Sequence, residues 1–450
     1  MKRTRVIAAL VATAVTVGGL TACSADSSGG DGKDGPVTIT LMETKQIGID
    51  SAKKQIPGFE AEMKKQGRDI TVKLIGDVLT DPQFVTKITQ QYIAGEAPDV
   101  ADLGDSMVPG FAGAGYLAPI DDYLADWDGW DHYFPQFKEA MVRQDGKIYA
   151  LVHDTGVQNF FYRKDLLTEY GVDTTQPATW DDMIARLEEI KAKNGDLPPI
   201  VIPAGTAWGG GTWNEGFQPI LAGADQDYYS LETGKWDLES KGWLPTFNLY
   251  SDLVTKDLLP VQDLENPNPW EPTKYDKFPA GELQVAAQGT WGWKFDWGPD
   301  GATPIPDLET KLDTWQYPAM EAGGETYGWS GLGSSYGISE NSENKEAAML
   351  LAQYLSSGQP VADQLVASGA APVRDDIADI KPFADEPKLV QAGKDLQTSL
   401  YVPTGDGSEQ VAQAVANATE MILQGKANGQ QAYDAFVEDA TDLLGPSLVK

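Results

Sequence analysis

Residues 145–183 read DGKIYALVHDTGVQNFFYRKDLLTEYGVDTTQPATWDDM. Asp145-Gly146 is a turn dipeptide, and Lys147 to Val152 is a short apolar run rich in β formers. His153-Asp154-Thr155-Gly156 breaks that run with polar groups and a glycine, and a second apolar run follows from Val157 to Tyr162. Arg163-Lys164-Asp165 leads into a short helix signal, Leu166 to Tyr170, stopped by Gly171. Thr179 reads as the N-cap of a further helix, with Asp182 three positions on to complete a capping box. The pattern predicts a strand that leaves one body, passes a polar kink and enters a second body. Such a passage makes a hinge and lines a cleft at once.

On the N-terminal side, Val37–Met42 and Asp69–Ile75 read as strands, and Asp81-Pro82 opens a helix with Phe84, Val85, Ile88, Tyr92 and Ile93 on one face. The turn-strand Ala97-Pro98-Asp99-Val100 follows that helix. On the C-terminal side, Ile200–Pro203 and Leu283–Ala287 read as strands. Leu244–Leu259, the amphipathic stretch Asn341–Ser356 and the tail Gln410–Leu444 read as helices, while Pro260–Lys277 yields no assignment. Alternating strands and helices predict an α/β fold, each body a mainly parallel sheet with helices on both faces. In such sheets ligands sit beyond the carboxyl ends of the strands, so the loops at Glu43–Gln46, Gly76-Asp77 and Asp102–Asp105 are expected to face the cleft.

The order of these residues resembles the extracellular solute-binding proteins of ABC importers, specifically the maltose-binding-protein-like group that captures sugars. The family pattern is a DGK turn, a Y-G-P strand, polar residues, Y-N/R-K-D-L, a glycine and P-x-T-W-D/E-E. Asp145, Gly146, Lys147, Tyr149, Tyr162, Arg163, Lys164, Asp165, Leu166, Gly171, Pro177, Thr179, Trp180 and Asp181 fall on it. Ala150 and Val152 stand where the family has glycine and proline. Further matches are the A-P-D-V turn, Gly115–Asp121, the tryptophan-rich Gln288–Trp297 and Gly369–Arg374. The resemblance implies a two-lobed periplasmic-binding-protein-like fold with a ligand cleft between the lobes. It further implies one lobe from 37–152 plus 291–343 and another from 153–290 plus 344–450, with crossings near 152–156, 289–293 and 339–344.

At 450 residues the chain exceeds the usual single domain, which agrees with two lobes. Lys2, Arg3 and Arg5 precede an apolar run, Val6–Gly19, too short for a comfortable membrane span. Leu20-Thr21-Ala22-Cys23 resembles a bacterial lipobox, which implies removal of residues 1–22, lipidation of Cys23 and a bilayer anchor on the outer face of the cell membrane. Residues 23–36 then form a Gly/Ser/Asp-rich tether. Cys23 is the only cysteine, so the mature chain has no disulfide. The formal net charge of −33 repels nucleic acid and anionic headgroups and is compatible with neutral sugars and with cations.

Sugars present an apolar face and a rim of hydroxyls, so they call for aromatic rings together with charged hydrogen-bonding groups. The candidates for stacking are Trp208, Trp213, Trp291, Trp293 and Trp329; those for hydroxyls are Glu43, Asp102, Asp105, His153, Asp154 and Arg374. Several of these have a second reading that the sequence leaves open: structural packing for any one of the tryptophans, at least two of which are expected to line the site, Asp105 as a helix cap, His153 as a structural residue and Arg374 as an ion-pair partner of Asp375. Gly333–Gly337 has the G-x-S-x-G form of a serine hydrolase, but that motif needs a later histidine, and only His132 and His153 exist, both earlier. The same scarcity argues against a zinc site, and there is no GxxxxGK[ST] loop. The expectation is therefore a non-enzymatic monomer without cofactor or metal. It would carry a sugar to the membrane subunits of an importer, and its several tryptophans favour an oligosaccharide over a free monosaccharide. A secreted glycoside hydrolase, or a binder of peptides or polyamines, is the alternative.

Overall fold

The computed structural model describes residues 35–450 apart from 80, 403 and 404. The signal segment, Cys23 and the tether as far as residue 34 lie outside the described residues. The strands in chain order are β1 (Val37–Glu43), β2 (Ile70–Gly76), β3 (Val100–Gly104), β4 (Ala150–Val152), β5 (Val157–Arg163), β6 (Ile200–Val201), β7 (Tyr229–Ser230), β8 (Lys235–Trp236), β9 (Val285–Gly289), β10 (Leu312–Trp315), β11 (Trp329–Ser330) and β12 (Ser334–Ile338). They form one sheet in the order β2-β1-β3-β12-β4 and another in the order β10-β5-β9-β6, with β11 also on β5. Strands β7 and β8 make a separate hairpin.

Both sheets are mixed, and the reversed strand in each has a simple cause. In the first sheet β1 runs parallel to β2 and β3, while β12 is antiparallel to β3 and β4. In the second, β5 is antiparallel to β9, β10 and β11, and β6 is parallel to β9. Strand β4 runs toward the second sheet, and the chain crosses at His153–Gly156 into β5. Strand β11 runs toward the first sheet, and the chain crosses back at Gly331–Gly333 into β12. A strand that enters a lobe from the cleft must run away from the cleft, so β5 and β12 oppose their neighbours. The other strands of the two sheets point their carboxyl ends at the gap between them.

Each sheet has its own core. In the first lobe Ile39, Leu41 and Ile338 meet Phe59 and Leu351. Phe59 belongs to the helix Gln46–Lys65, whose buried Ile49, Ala52, Ile56, Phe59 and Met63 recur every three or four residues. In the second lobe Phe160 and Phe161 pack on Trp180 and Trp297. The helix Trp180–Lys193 starts on the capping box read from the sequence: the Asp182 amide donates to Thr179 Oγ1 at 3.2 Å, and the Thr179 amide to Asp182 Oδ2 at 3.1 Å.

The chain divides between the lobes differently from the expected boundaries. It does not cross at 289–293. After β9 it turns back through Thr290–Trp293, and Trp293 and Trp297 pack on Phe161 in the second lobe. Strands β10 and β11 then pair with β5, so 291–330 lies with the second sheet rather than the first. The second crossing is Gly331–Gly333, not 339–344. The helices Lys345–Leu355 and Gly358–Ser368 stay in the first lobe, with Ala348 and Leu351 in its core and the second helix against Gln46–Lys65. The third crossing falls between Leu396, in the first core, and Val402, in the second. The glycine- and tryptophan-rich composition of 289–297 serves tight packing inside one lobe, which is why it imitates a crossing.

The crossings are tied to one another. Thr155 Oγ1 donates to the Gly331 carbonyl at 2.5 Å, the Ser334 amide to Asp154 Oδ1 at 2.8 Å, and the Ser330 amide to the Leu400 carbonyl at 3.0 Å. Thr155 also exchanges backbone hydrogen bonds with Ala371.

Candidate functional site

The carboxyl ends of β1, β3 and β4 bring Glu43, Asp102, His153 and Asp154 together. His153 Nε2 lies 3.1 Å from Asp102 Oδ1, and Nδ1 lies 3.5 Å from Asp154 Oδ2. The imidazole stacks on Tyr336 of β12 at 4.3 Å, and the Gln364 amide faces Nδ1 at 3.3 Å. Burial alone would lower the His153 pKa, but the charges of Asp154 and Asp102 outweigh it and raise it. Glu43 is fully buried, and burial together with the nearby Asp102 charge holds its carboxyl well above the ordinary range. The cluster thus favours the protonated form of both Glu43 and His153.

The second lobe presents a different arrangement at its cleft end. Strand β6 is parallel to β9, and Gly289 at the end of β9 pairs with Gln158 just past the first crossing. The chain that follows β6 therefore emerges beside the crossings. It forms a π-helical turn, Thr212–Phe217, and a second such turn, Glu271–Lys277, packs nearby. Gln158 Nε2 donates to the Asn214 carbonyl at 3.0 Å. The Lys274 ammonium is buried and bonds Glu215 Oε2 at 2.9 Å and Gln288 Oε1 at 3.3 Å. Gln288 Nε2 in turn donates to Asp296 Oδ2 at 2.5 Å, and the Tyr275 hydroxyl donates to Asp296 Oδ1 at 3.0 Å. Burial pushes the Asp296 pKa up to about 6.

A cavity of about 440 Å³ opens between the lobes. Its walls are Val85, Ser106, Met107 and Phe111 from the first lobe and Asp406 and Glu409 from the second. A smaller one of about 190 Å³ shares Pro109, Gly405 and Asp406 and reaches Arg143 and Tyr229. Their combined size is within the range of small-molecule sites. Asp105 precedes Ser106 on this wall, and its carboxylate lies 3.7 Å from the Arg143 guanidinium.

The remaining residues named from the sequence fall in several places. Trp291 is partly exposed, its indole laid over Gly156 and Gly289 at the first crossing. Trp208 is buried, with Trp270 at its edge and the Lys274 ammonium 5.2 Å from its ring. Trp293 packs on Phe161 under Lys388, and Trp329 is buried in β11. Trp213 is a core residue: it is 3% exposed and sits among Phe217, Tyr228, Trp236 and Trp243, so its faces are covered by other rings. Arg374 is also buried, pairs with Asp376 rather than Asp375, and lies over Trp127 and Tyr133 inside the first lobe. Asp375 pairs instead with His132 at 2.8 Å. His132, Asp375 and Asp376 make the one histidine–carboxylate group among the described residues that could hold a metal, and His132 and Asp375 are exposed. Glu215, Lys274, Gln288 and Asp406 went unnoticed in the sequence. Lys274 lies in the segment to which no element could be assigned, because a π-helical turn has neither the 3.6-residue nor the two-residue period.

A profile described as bacterial extracellular solute-binding protein matches residues 59–391. The maltotriose-binding protein of Pyrococcus abyssi is 24% identical over 337 residues, 74% of this chain and 67% of its own. Among solved structures, the sugar-binding protein MalE of Xanthomonas citri superposes with a TM-score of 0.74 at 21% identity, covering 90% of this chain and 97% of its own. The GacH receptor of Streptomyces glaucescens, solved unliganded and with acarbose, gives 0.73 at 20% identity, covering 91% and 98%.

Proposed function

Since the chain belongs to the bacterial extracellular solute-binding proteins, we propose that it captures an oligosaccharide between its lobes and hands it to an ABC importer. The observation that carries this reading is the cavity of about 440 Å³ whose wall is drawn from both lobes. A ligand held there touches both, binds the closed arrangement better than the open one, and shifts the population toward it. The sugar class follows from what relatives bind, maltotriose in one case and acarbose in another. At this cavity Ser106 from the first lobe and Asp406 and Glu409 from the second supply hydrogen-bonding groups. Glu43, Asp102, His153 and Asp154 form the buried polar network at the first crossing, with Asp105 beside the cavity wall, and the partly exposed Trp291 offers a ring face there. The binding step makes and breaks no covalent bond.

The mature protein would be a monomer held to the outer face of the membrane by lipid on Cys23, with residues 24–36 as its leash. Among the described residues no helix is long and apolar enough to cross a membrane. Metabolic labelling with palmitate, compared between wild type and Cys23→Ala, tests the anchor.

Intrinsic tryptophan fluorescence, titrated with maltotriose and longer glucans, arabino-oligosaccharides, peptides and spermidine, tests the ligand class. A saturable response to an oligosaccharide, with the sugar recovered intact, is expected. Shortened sugar products would make the protein a hydrolase. A response confined to peptides or spermidine would move the ligand to another class.

A further inference from the structure

Lys274 is an unusual residue to find in a lobe's interior. Its side chain is 4% exposed, whereas that of its partner Glu215 is 28% exposed. Taking an ammonium out of water is costly unless it is paired and hydrogen-bonded, and a buried pair is weak evidence for a purely stabilising role. The pair is also held with care. Each member sits on its own π-helical turn, a conformation that is rare and concentrated at functional sites. Gln288 accepts from the ammonium and is itself fixed by Asp296, while the Trp208 ring lies 5.2 Å from the charge. The outcome is a carboxylate that stays wet on one side and is clamped on the other, at the end of the second sheet that faces the first.

We infer that Glu215 is a ligand-contacting residue of the second lobe, which accepts a hydroxyl hydrogen bond from a neutral sugar, and that Lys274 is the positioning residue that fixes it. This rests on the sugar-binding reading above and adds a contact that the sequence motifs did not suggest. The carboxylate's charge is matched by the ammonium behind it. The local field therefore favours an uncharged hydroxyl over an amine, although the protein as a whole is strongly acidic. A carboxylate already immobilised by Lys274 loses little freedom when the sugar arrives, which is the benefit of fixing it in advance.

The test is calorimetric titration of wild type, Glu215→Gln and Glu215→Ala with the oligosaccharide that wild type binds, and with its monodeoxy analogues. Loss of a hydrogen bond to a charged group predicts about 10- to 100-fold weaker binding for Glu215→Ala, with Glu215→Gln between. One monodeoxy sugar should lose a similar factor on wild type and no further factor on Glu215→Ala, a pattern that mere loosening of the lobe would not produce. Lys274→Met, if it folds by thermal melt, should weaken the same sugar and spare the same analogue; if it does not fold, the Glu215 variants decide. Wild-type affinity in Glu215→Ala, or equal losses for every analogue on both proteins, would overturn this contact while leaving the functional reading intact. A wild type that binds no sugar would overturn the functional reading, and this contact with it.

Discussion

Glu43 and His153 hold protons for opposite reasons. Glu43 is raised by burial, and His153 by its two carboxylates against burial. Both pKa values lie above their ordinary 4.5 and 6.5, so both groups bind protons more tightly folded than unfolded. Each contribution is complete below the ordinary value and is lost as pH rises through the raised one. Glu43→Gln mimics the protonated carboxyl. It should exceed wild-type stability at pH 8, with the difference closing toward pH 4 in urea titrations. His153→Asn should flatten the fall of stability above pH 6.5; an unchanged slope would mean that His153 is neutral in the fold. That polar residues stood at strand ends was readable from the sequence. That Glu43 would be sealed, and Asp102 shared between it and the imidazole, was not, because such proximity depends on strands separated by dozens of residues.

Individual elements were the most legible part of the chain, because each carries its own period or punctuation. The capping box at Thr179 was read from three residues and is present. Thr179→Ala should cost about 1 kcal/mol in chemical denaturation. Elements that serve packing rather than periodicity were misread, and the run at 289–297 is the clearest case. Gly289 is needed for space: a Cβ there would come within 1.9 Å of the Trp291 ring, and one at Gly156 within 2.8 Å. Gly289→Ala should push the indole off the crossing, shift its emission, and destabilise the protein by about 1–3 kcal/mol. If Trp291 also forms a stacking face, sugar affinity should fall in the same variant. An unperturbed spectrum would show that the ring has another resting place.

At the scale of the whole molecule, two lobes and a cleft were legible, because length, alternation and the first crossing all required them. The partition of the chain was not, since it depends on where β10, β11 and the helices after β12 dock, and docking leaves no local mark. A ligand bound only by the closed form should raise stability by about 2.7 kcal/mol at a hundredfold excess over Kd. It should also reduce the radius of gyration in solution scattering; binding without compaction would mean that the lobes are already closed.

The interleaved sheet order bears on how the polypeptide is made. Strand β12 lies between β3 and β4, so a nascent chain has β3 and β4 long before the strand that joins them. A chain truncated at Gly333 lacks that strand and every helix that follows it, and should be digested quickly by protease where the complete protein resists. Such delay keeps the polypeptide threadable until translation is well advanced, a useful property for a member of an extracellular family.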